Sequence, residues 1–325
     1  MRYIFQLLLV LLLISCNAGS ERYEGSPERV VPLYTKFSDY AKADSSARQQ
    51  IFCHDSVELA AFMRTVSEQE LSDELLEWWA SSQPVAVFTP DVDSVFTDTL
   101  EVGKILGNIL YNADQAGIVL PERRYATVVY GRPESVLFVD SVMLIALNHY
   151  LGFDYPGYSH WPVFMRINKT PQAMPYDLAE ALVATSYPYS LEGEDATLLS
   201  RMVYEGVLAH AKMSLVPQAD IAGALGYTDA EMKWLDENER SIWRSLVQKQ
   251  LLYDTSDDVA GRIITPAPEV YIVDPVSPGR VGRFIGYRIV EDYLKKNPDK
   301  KLPEMLKPEF YKGNTVLVAS EYNPE

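Results

Sequence analysis

The side chains best suited to chemistry in this chain of 325 residues are its four histidines, His54, His149, His160 and His210. None sits in His-Glu-x-x-His, the spacing that sets two zinc ligands on one helical face with a general base between them. Glu205 and His210 lie five apart on one expected helix, which turns them roughly 140° away from each other at 3.6 residues per turn. That separation does not suit a shared metal. His149 and His160 flank a loop heavy in glycine, proline and aromatics. Zinc held by these two and a carboxylate is one reading, and hydrogen-bonded loop histidines are the commoner case. No Gly-x-Ser-x-Gly elbow, Walker loop or Gly-x-Gly-x-x-Gly fingerprint is present. Acid pairs such as Glu237 with Glu239 and Asp257 with Asp258 are expected by chance among 45 acids, and read as solvated surface. The residue types thus carry no recognised catalytic motif, and no cofactor is expected.

The strongest signal is at the N-terminus. Arg2 supplies a positive start, Tyr3 to Ile14 form an almost unbroken apolar run, and Leu13-Ile14-Ser15-Cys16 closes it. The run is too short to stay in a bilayer as a spanning helix, and a small residue precedes the cut. It is expected to be a signal peptide over residues 1–15, with Cys16 as the lipid attachment site. A diacylated cysteine, usually with a third chain, exceeds the two-signal threshold for stable anchoring. Residues 16–29, with Gly19, Gly25 and Pro27, read as a tether, and 30–325 as a single domain. Asn17 follows the cysteine and the next acid is Glu21, so the expected place is the outer membrane, facing the periplasm. A net charge of −16 argues against nucleic acid, whose phosphates need clustered Lys and Arg. Removal of the signal peptide takes away one more cation, Arg2. With Cys16 lipidated, Cys53 is the one remaining thiol, so neither an intrachain disulfide nor a cysteine zinc site is available.

The elements that must position any site follow from periodicity. Residues Ser45 to Ser82 carry a helical pattern, with Ser67 and Glu70 as a capping box opening its second helix. A helix is expected over Thr99 to Ala116, then strands at Tyr125 to Tyr130 and within Val136 to Leu147. After the loop Asn148 to Pro162, helices are expected at Tyr176–Ser186, Ala196–Leu215, Ala219–Leu225, Ala230–Tyr253 and Pro278–Lys296. Thr228 with Glu231 forms a second capping box, Asp236 and Arg240 an i,i+4 pair, and Pro278 a helix start. The fold class is α+β, mostly helical with a small mixed sheet. Gly282 and Gly286, one turn apart, suggest close approach by another helix, expected to be the one with Trp234 and Trp243.

Several segments together resemble the gliding motility lipoprotein B (GldB) family of the Bacteroidetes. They are Tyr150-Leu151-Gly152, Met202-Val203-Tyr204-Glu205-Gly206, Leu225-Gly226-Tyr227-Thr228, Asn238-Glu239 with Ile242-Trp243, and Leu251-Leu252-Tyr253. The most specific is Ser277-Pro278-Gly279-Arg280-x-Gly282-x-x-Ile285-Gly286-x-x-Ile289-Val290. The resemblance implies a lipoprotein of the motility and secretion machinery, whose partners would be other envelope proteins and, through its lipid, the membrane. More distantly, that family is similar to predicted zinc proteases of gluzincin-like layout, which implies a degenerate zincin-like architecture. Glu205-Gly206 matches their later ligand helix. The earlier helix reads Tyr176-Asp177-Leu178-Ala179-Glu180 here, without either histidine, so no metal residue carries over. The expectation is a non-enzymatic binding or scaffolding protein with Glu205, Glu239, Arg280 and Arg288 as its candidate groove; the alternative is a metal-dependent, peptidase-like hydrolase with a non-standard site.

Overall fold

The computed structural model describes residues 24–98, 100–267, 270, 271 and 273–324. The expected signal peptide, Cys16 and the expected tether up to residue 23 lie outside the described residues.

A four-stranded sheet is formed by β1 (Val30–Pro32), β2 (Arg124–Val128), β3 (Val136–Val139) and β4 (Val142–Ala146), in the order β1-β2-β4-β3. β1 and β4 run parallel to β2, and β3 pairs antiparallel with β4. β4 is Val-Met-Leu-Ile-Ala with every residue buried. Such an unbroken apolar strand is what a sheet covered on both faces needs. The apolar stretch from Val136 to Leu147 is thus a hairpin, turned at Asp140, whose φ of 52° is a left-handed conformation that aspartate tolerates.

Between β1 and β2 come α1 (Leu33–Lys42), α2 (Ser45–Ile51), α3 (Ser56–Val66), α4 (Asp73–Ala80), α5 (Gln83–Val95) and α6 (Glu101–Gln115). α1 and α3 pack on the sheet. Phe37, Phe52, Phe62 and Trp79 join their rings at centroid distances of 5.2–6.5 Å. The Ser67–Glu70 capping box does not form. Ser67 ends α3, and Ser72 caps α4 by accepting the Leu75 N–H at 3.2 Å. A start at Ser67 would place only the exposed Leu71 in the first turn, whereas a start at Asp73 brings the buried Leu75 and Leu76.

The segment read as a free tether is docked over its last residues. The Glu24 and Gly25 N–H groups donate to Asn108 Oδ1 at 3.0 and 3.2 Å, and Glu28 N–H donates to Gly103 O at 2.9 Å. Arg29 then pairs with the buried carboxylates of Asp55 and Glu58.

The remaining helices are α7 (Val163–Arg166), α8 (Met174–Ser186), α9 (Leu198–Leu215), α10 (Ile221–Leu225), α11 (Asp229–Gln248), α12 (Asp257–Ile264), α13 (Val281–Lys296), α14 (Leu302–Met305), α15 (Pro308–Tyr311) and α16 (Thr315–Ser320). The Thr228–Glu231 capping box opens α11 as expected. α9 is buried on almost every side and forms the axis of this half, with α13 laid along it. Val281, Phe284, Ile285, Ile289 and Val290 of α13 are fully buried. The glycine contact expected with α11 is made with α9 instead: a Cβ on Gly286 would strike the Met202 carbonyl, and one on Gly206 the Gly286 carbonyl. Gly282 faces Ile263 of α12. Nor does Pro278 start the helix. The chain turns through Pro278-Gly279, and Arg280 is the N-cap at a left-handed φ of 62°. α11 offers only Leu235, Ile242 and Leu246 as buried residues, too narrow a stripe for a backbone-close crossing.

Candidate functional site

A cavity of about 460 Å³ opens between α8, the end of α9, the α10 turn and the start of α13. On α8, Asp177, Glu180, Ala181 and Ala184 fall at helical i, i+3, i+4 and i+7 and line it, while Leu178, Ala179, Leu182 and Val183 turn into the core. The two alanines leave the space. Lys212 projects from α9, and Arg280 and Arg283 from the first turn of α13. Gly226, left-handed at φ 77°, ends α10 and turns its carbonyl inward. That oxygen accepts from Arg280 Nη1 at 2.7 Å and Asn168 Nδ2 at 3.1 Å. A side chain at Gly226 would displace the guanidinium.

The charges are mostly spent on one another. Glu180 meets Lys212 Nζ at 2.5 Å and Arg283 Nη2 at 3.2 Å, and Arg283 Nε reaches Glu205 at 2.9 Å. Arg283 therefore ties α13 to carboxylates on both α8 and α9. Burial alone would raise the Glu180 pKa, but Arg283 and Lys212 outweigh it and hold the group ionised. Glu205 is raised, because burial and the neighbouring Glu180 outweigh Arg283. Asp177 is pushed up to about 6 by burial and by Glu180; the Tyr150 hydroxyl, donating at 2.9 Å, partly offsets this.

Two cations are left over. Lys169 Nζ donates to Ser135 Oγ at 2.6 Å and to Pro133 O at 3.3 Å, and burial lowers its pKa. Among the described residues neither Lys169 nor Arg280 has a carboxylate at ion-pair distance. His149 Nδ1 is 3.5 Å from Lys169 Nζ, and its ring stacks on Tyr130 and meets Trp161 edge-on. Burial and Lys169 drive its pKa down to about 3. An ammonium at that nitrogen is the wrong neighbour for a metal ligand, which counts against zinc on His149 and His160. Among the described residues no three His, Cys, Asp or Glu side chains converge as a metal site would need. His210 stacks on Tyr287.

The groove expected from Glu205, Glu239, Arg280 and Arg288 is two places. Glu205 and Arg280 belong to the cavity region. Arg288 instead pairs with Asp236 at 2.6 Å, Glu239 at 3.4 Å and Glu291 at 3.3 Å, and the Tyr322 hydroxyl donates to Glu239 at 2.9 Å. This cluster staples α11 and the C-terminal residues to α13. Eight helical residues separate the two arginines by about 12 Å along the axis, enough to put them at different neighbours. Asp236 is taken by Arg288, not by Arg240. The sequence singles out neither Lys169 nor Lys212. It offers Arg283, with Arg280 and Arg288, as a cation able to pair with acids of the preceding helix, whereas its partners are Glu180 of α8 and Glu205 of α9. It shows Asp177 and Glu180 only as a departure from a zinc motif. Their shared face with Ala181 and Ala184 was the signal that could have found them.

A half-buried, titratable Asp177 yields a stability prediction of unusual sign. Its folded pKa of about 6 exceeds the ordinary 3.8, so the folded state is penalised once the group ionises. The penalty is absent below pH 3.8, grows between the two values and is complete above 6. Asp177→Asn keeps an acceptor for Tyr150 and should stabilise the protein at pH 7.5 by about 2–3 kcal/mol. Urea midpoints should converge as the pH falls toward 4. A variant less stable than wild type at pH 7.5 would contradict the assignment.

Fold and cavity define a mostly helical α+β protein with a charge-lined chamber beside its central helix. Residues 30–324 match the family described as "Gliding motility protein GldB", and the chain belongs to that family of motility-associated lipoproteins. Neither the curated proteins nor the solved structures compared with it gave a match. The family match lends no support to the more distant zinc-protease likeness.

Proposed function

We propose that this chain is a non-enzymatic lipoprotein of the outer membrane, facing the periplasm, that binds another envelope component through the cavity beside α8. The observation that carries this reading is the allocation of charge. Glu180 and Glu205, the carboxylates best placed to hold a metal between α8 and α9, are engaged by Lys212 and Arg283. Beside them stands a chamber with part of its wall apolar and with two cations, Lys169 and Arg280, that have no carboxylate at ion-pair distance among the described residues. Such a mixture of apolar surface and a few convergent polar groups is the usual make-up of a binding site.

The test is affinity capture from native membranes with wild type and Ala181→Trp, which fills the chamber from a wall position. Loss of a co-purifying component in the variant, with its thermal melt retained, is the expected result. Capture unaffected by the indole would refute cavity binding. Anchoring is tested separately: Cys16→Ser should abolish labelling by a fatty-acid probe, and unchanged labelling would remove the lipid from Cys16.

A further inference from the structure

We propose that Lys169 and Arg280 form an anion-binding wall and that the chamber takes a monocarboxylate carried on an apolar body. The inference rests on the cavity being the binding site and goes further by naming the chemistry of what enters it. The chain is strongly acidic overall, at −16, yet Lys169, Lys212, Arg280 and Arg283 all line this one chamber. Lys212 and Arg283 answer to Glu180 and Glu205. Lys169 feels Asp177 and Glu134, and Arg280 feels Glu180 and Asp177, but among the described residues no carboxylate is at ion-pair distance of either, and burial still lowers the pKa of both. A bound anion would supply what is missing.

The geometry of Arg280 narrows the class. Its Nη1 is committed to the Gly226 carbonyl, which fixes the plane of the guanidinium. Its Nε is buried and has no acceptor. Carboxylates pair with a guanidinium through such N–H groups; with Nε enclosed, an entering carboxylate would meet Nη2 first and engage Nε only on a small shift of the side chain. Phe164, Leu225 and Pro266 give the rest of the wall an apolar character suited to a hydrocarbon or small side chain. Asp177, on the same wall, would repel a dianion more strongly than a monoanion, which favours carboxylate over phosphate. Both an alkyl acid and the free C-terminus of a short peptide present this chemistry, and a chamber of about 460 Å³ admits either.

The experiment is isothermal titration calorimetry of the full chain in detergent micelles at pH 7. The probes are hexanoate, N-acetyl-Ala-Ala, their neutral amides, and inorganic phosphate. At least one acid should bind about tenfold or more tightly than its own amide, as expected for a charge-assisted pair. Which acid does so distinguishes the two sources. Arg280→Gln and Lys169→Met should each remove that preference and leave the amide unchanged, and a urea midpoint near wild type will show that each variant is folded. Equal binding of acid and amide, tighter binding of phosphate, no binding of any probe, or an acid preference surviving in both folded variants would overturn the inference. Loss of capture in Ala181→Trp alongside any of these results leaves cavity binding standing and rejects only the carboxylate assignment.

Discussion

Arg283→Met should destabilise the protein by about 3–5 kcal/mol at pH 7.5, the usual cost of breaking a buried ion pair from one side. The methionine fills similar volume, so the loss comes from charge: Glu180 keeps only Lys212, and Glu205 loses its ion-pair partner. The sign with pH follows. With Arg283 present, Glu180 is held below its ordinary pKa; without it, Lys212 and the more distant Arg280 alone oppose the burial penalty, and both glutamates rise. The deficit should therefore be largest above neutrality and should shrink as the pH falls through the raised range of the two glutamates, where both accept protons. Adding Glu180→Gln and Glu205→Gln should recover much of the loss, because a whole ionic cluster can be exchanged for neutral groups at little cost. Urea midpoints across pH 4–8 measure all of this. A pH-independent deficit would show that Arg283 acts through packing alone.

Gly286→Ala is expected to be at least as damaging despite adding a single methyl group. Its Cβ would enter the space of the Met202 carbonyl, and a main-chain oxygen in mid-helix cannot rotate away. α13 would have to lift from α9 and give up the burial of Phe284, Ile285 and Ile289 in doing so. Overpacking at such a point costs about 3 kcal/mol or more. Gly282→Ala is the milder comparison, since its Cβ would come no nearer than 2.9 Å to Ile263 Cγ2 and 3.2 Å to the Ile263 carbonyl, against outright overlap with the Met202 carbonyl at Gly286. A thermal melt in which Gly286→Ala equals wild type, or in which Gly282→Ala is the worse of the two, would refute the crossing described here.

These two substitutions also mark what could be read from the chain and what could not. Long apolar periodicities exposed α9, α11 and α13, and β-branched runs exposed β2 and β4, because those patterns are local. The short β1 and α1 went unread, since Val30–Pro32 continues directly from the Gly- and Pro-bearing segment taken as tether. α5 went unread because Pro84 and Pro90 argue against a helix, although the first sits in its opening turn. Gly282 and Gly286 announced a close contact correctly but could not name the partner. The same limit hid the cavity: Glu180 and Arg283 are 103 residues apart, and no local pattern records that they meet. Arg280 and Glu205 were legible as unusual charges in apolar helices. Their neighbours became legible only once three helices were brought together.

The docked stretch from Glu24 to Arg29 sets a length scale for the whole molecule. With the lipid on Cys16 as proposed, and the chain pinned at Glu24 against Asn108 of α6, eight residues join the bilayer to the folded body. A fully extended chain gains at most about 3.6 Å per residue, so the leash cannot exceed about 29 Å, roughly one small-domain diameter. A free run to residue 30 would have nearly doubled that reach. A body anchored in that way would be confined to a thin layer above its own membrane, and whatever enters the chamber would have to come to that layer.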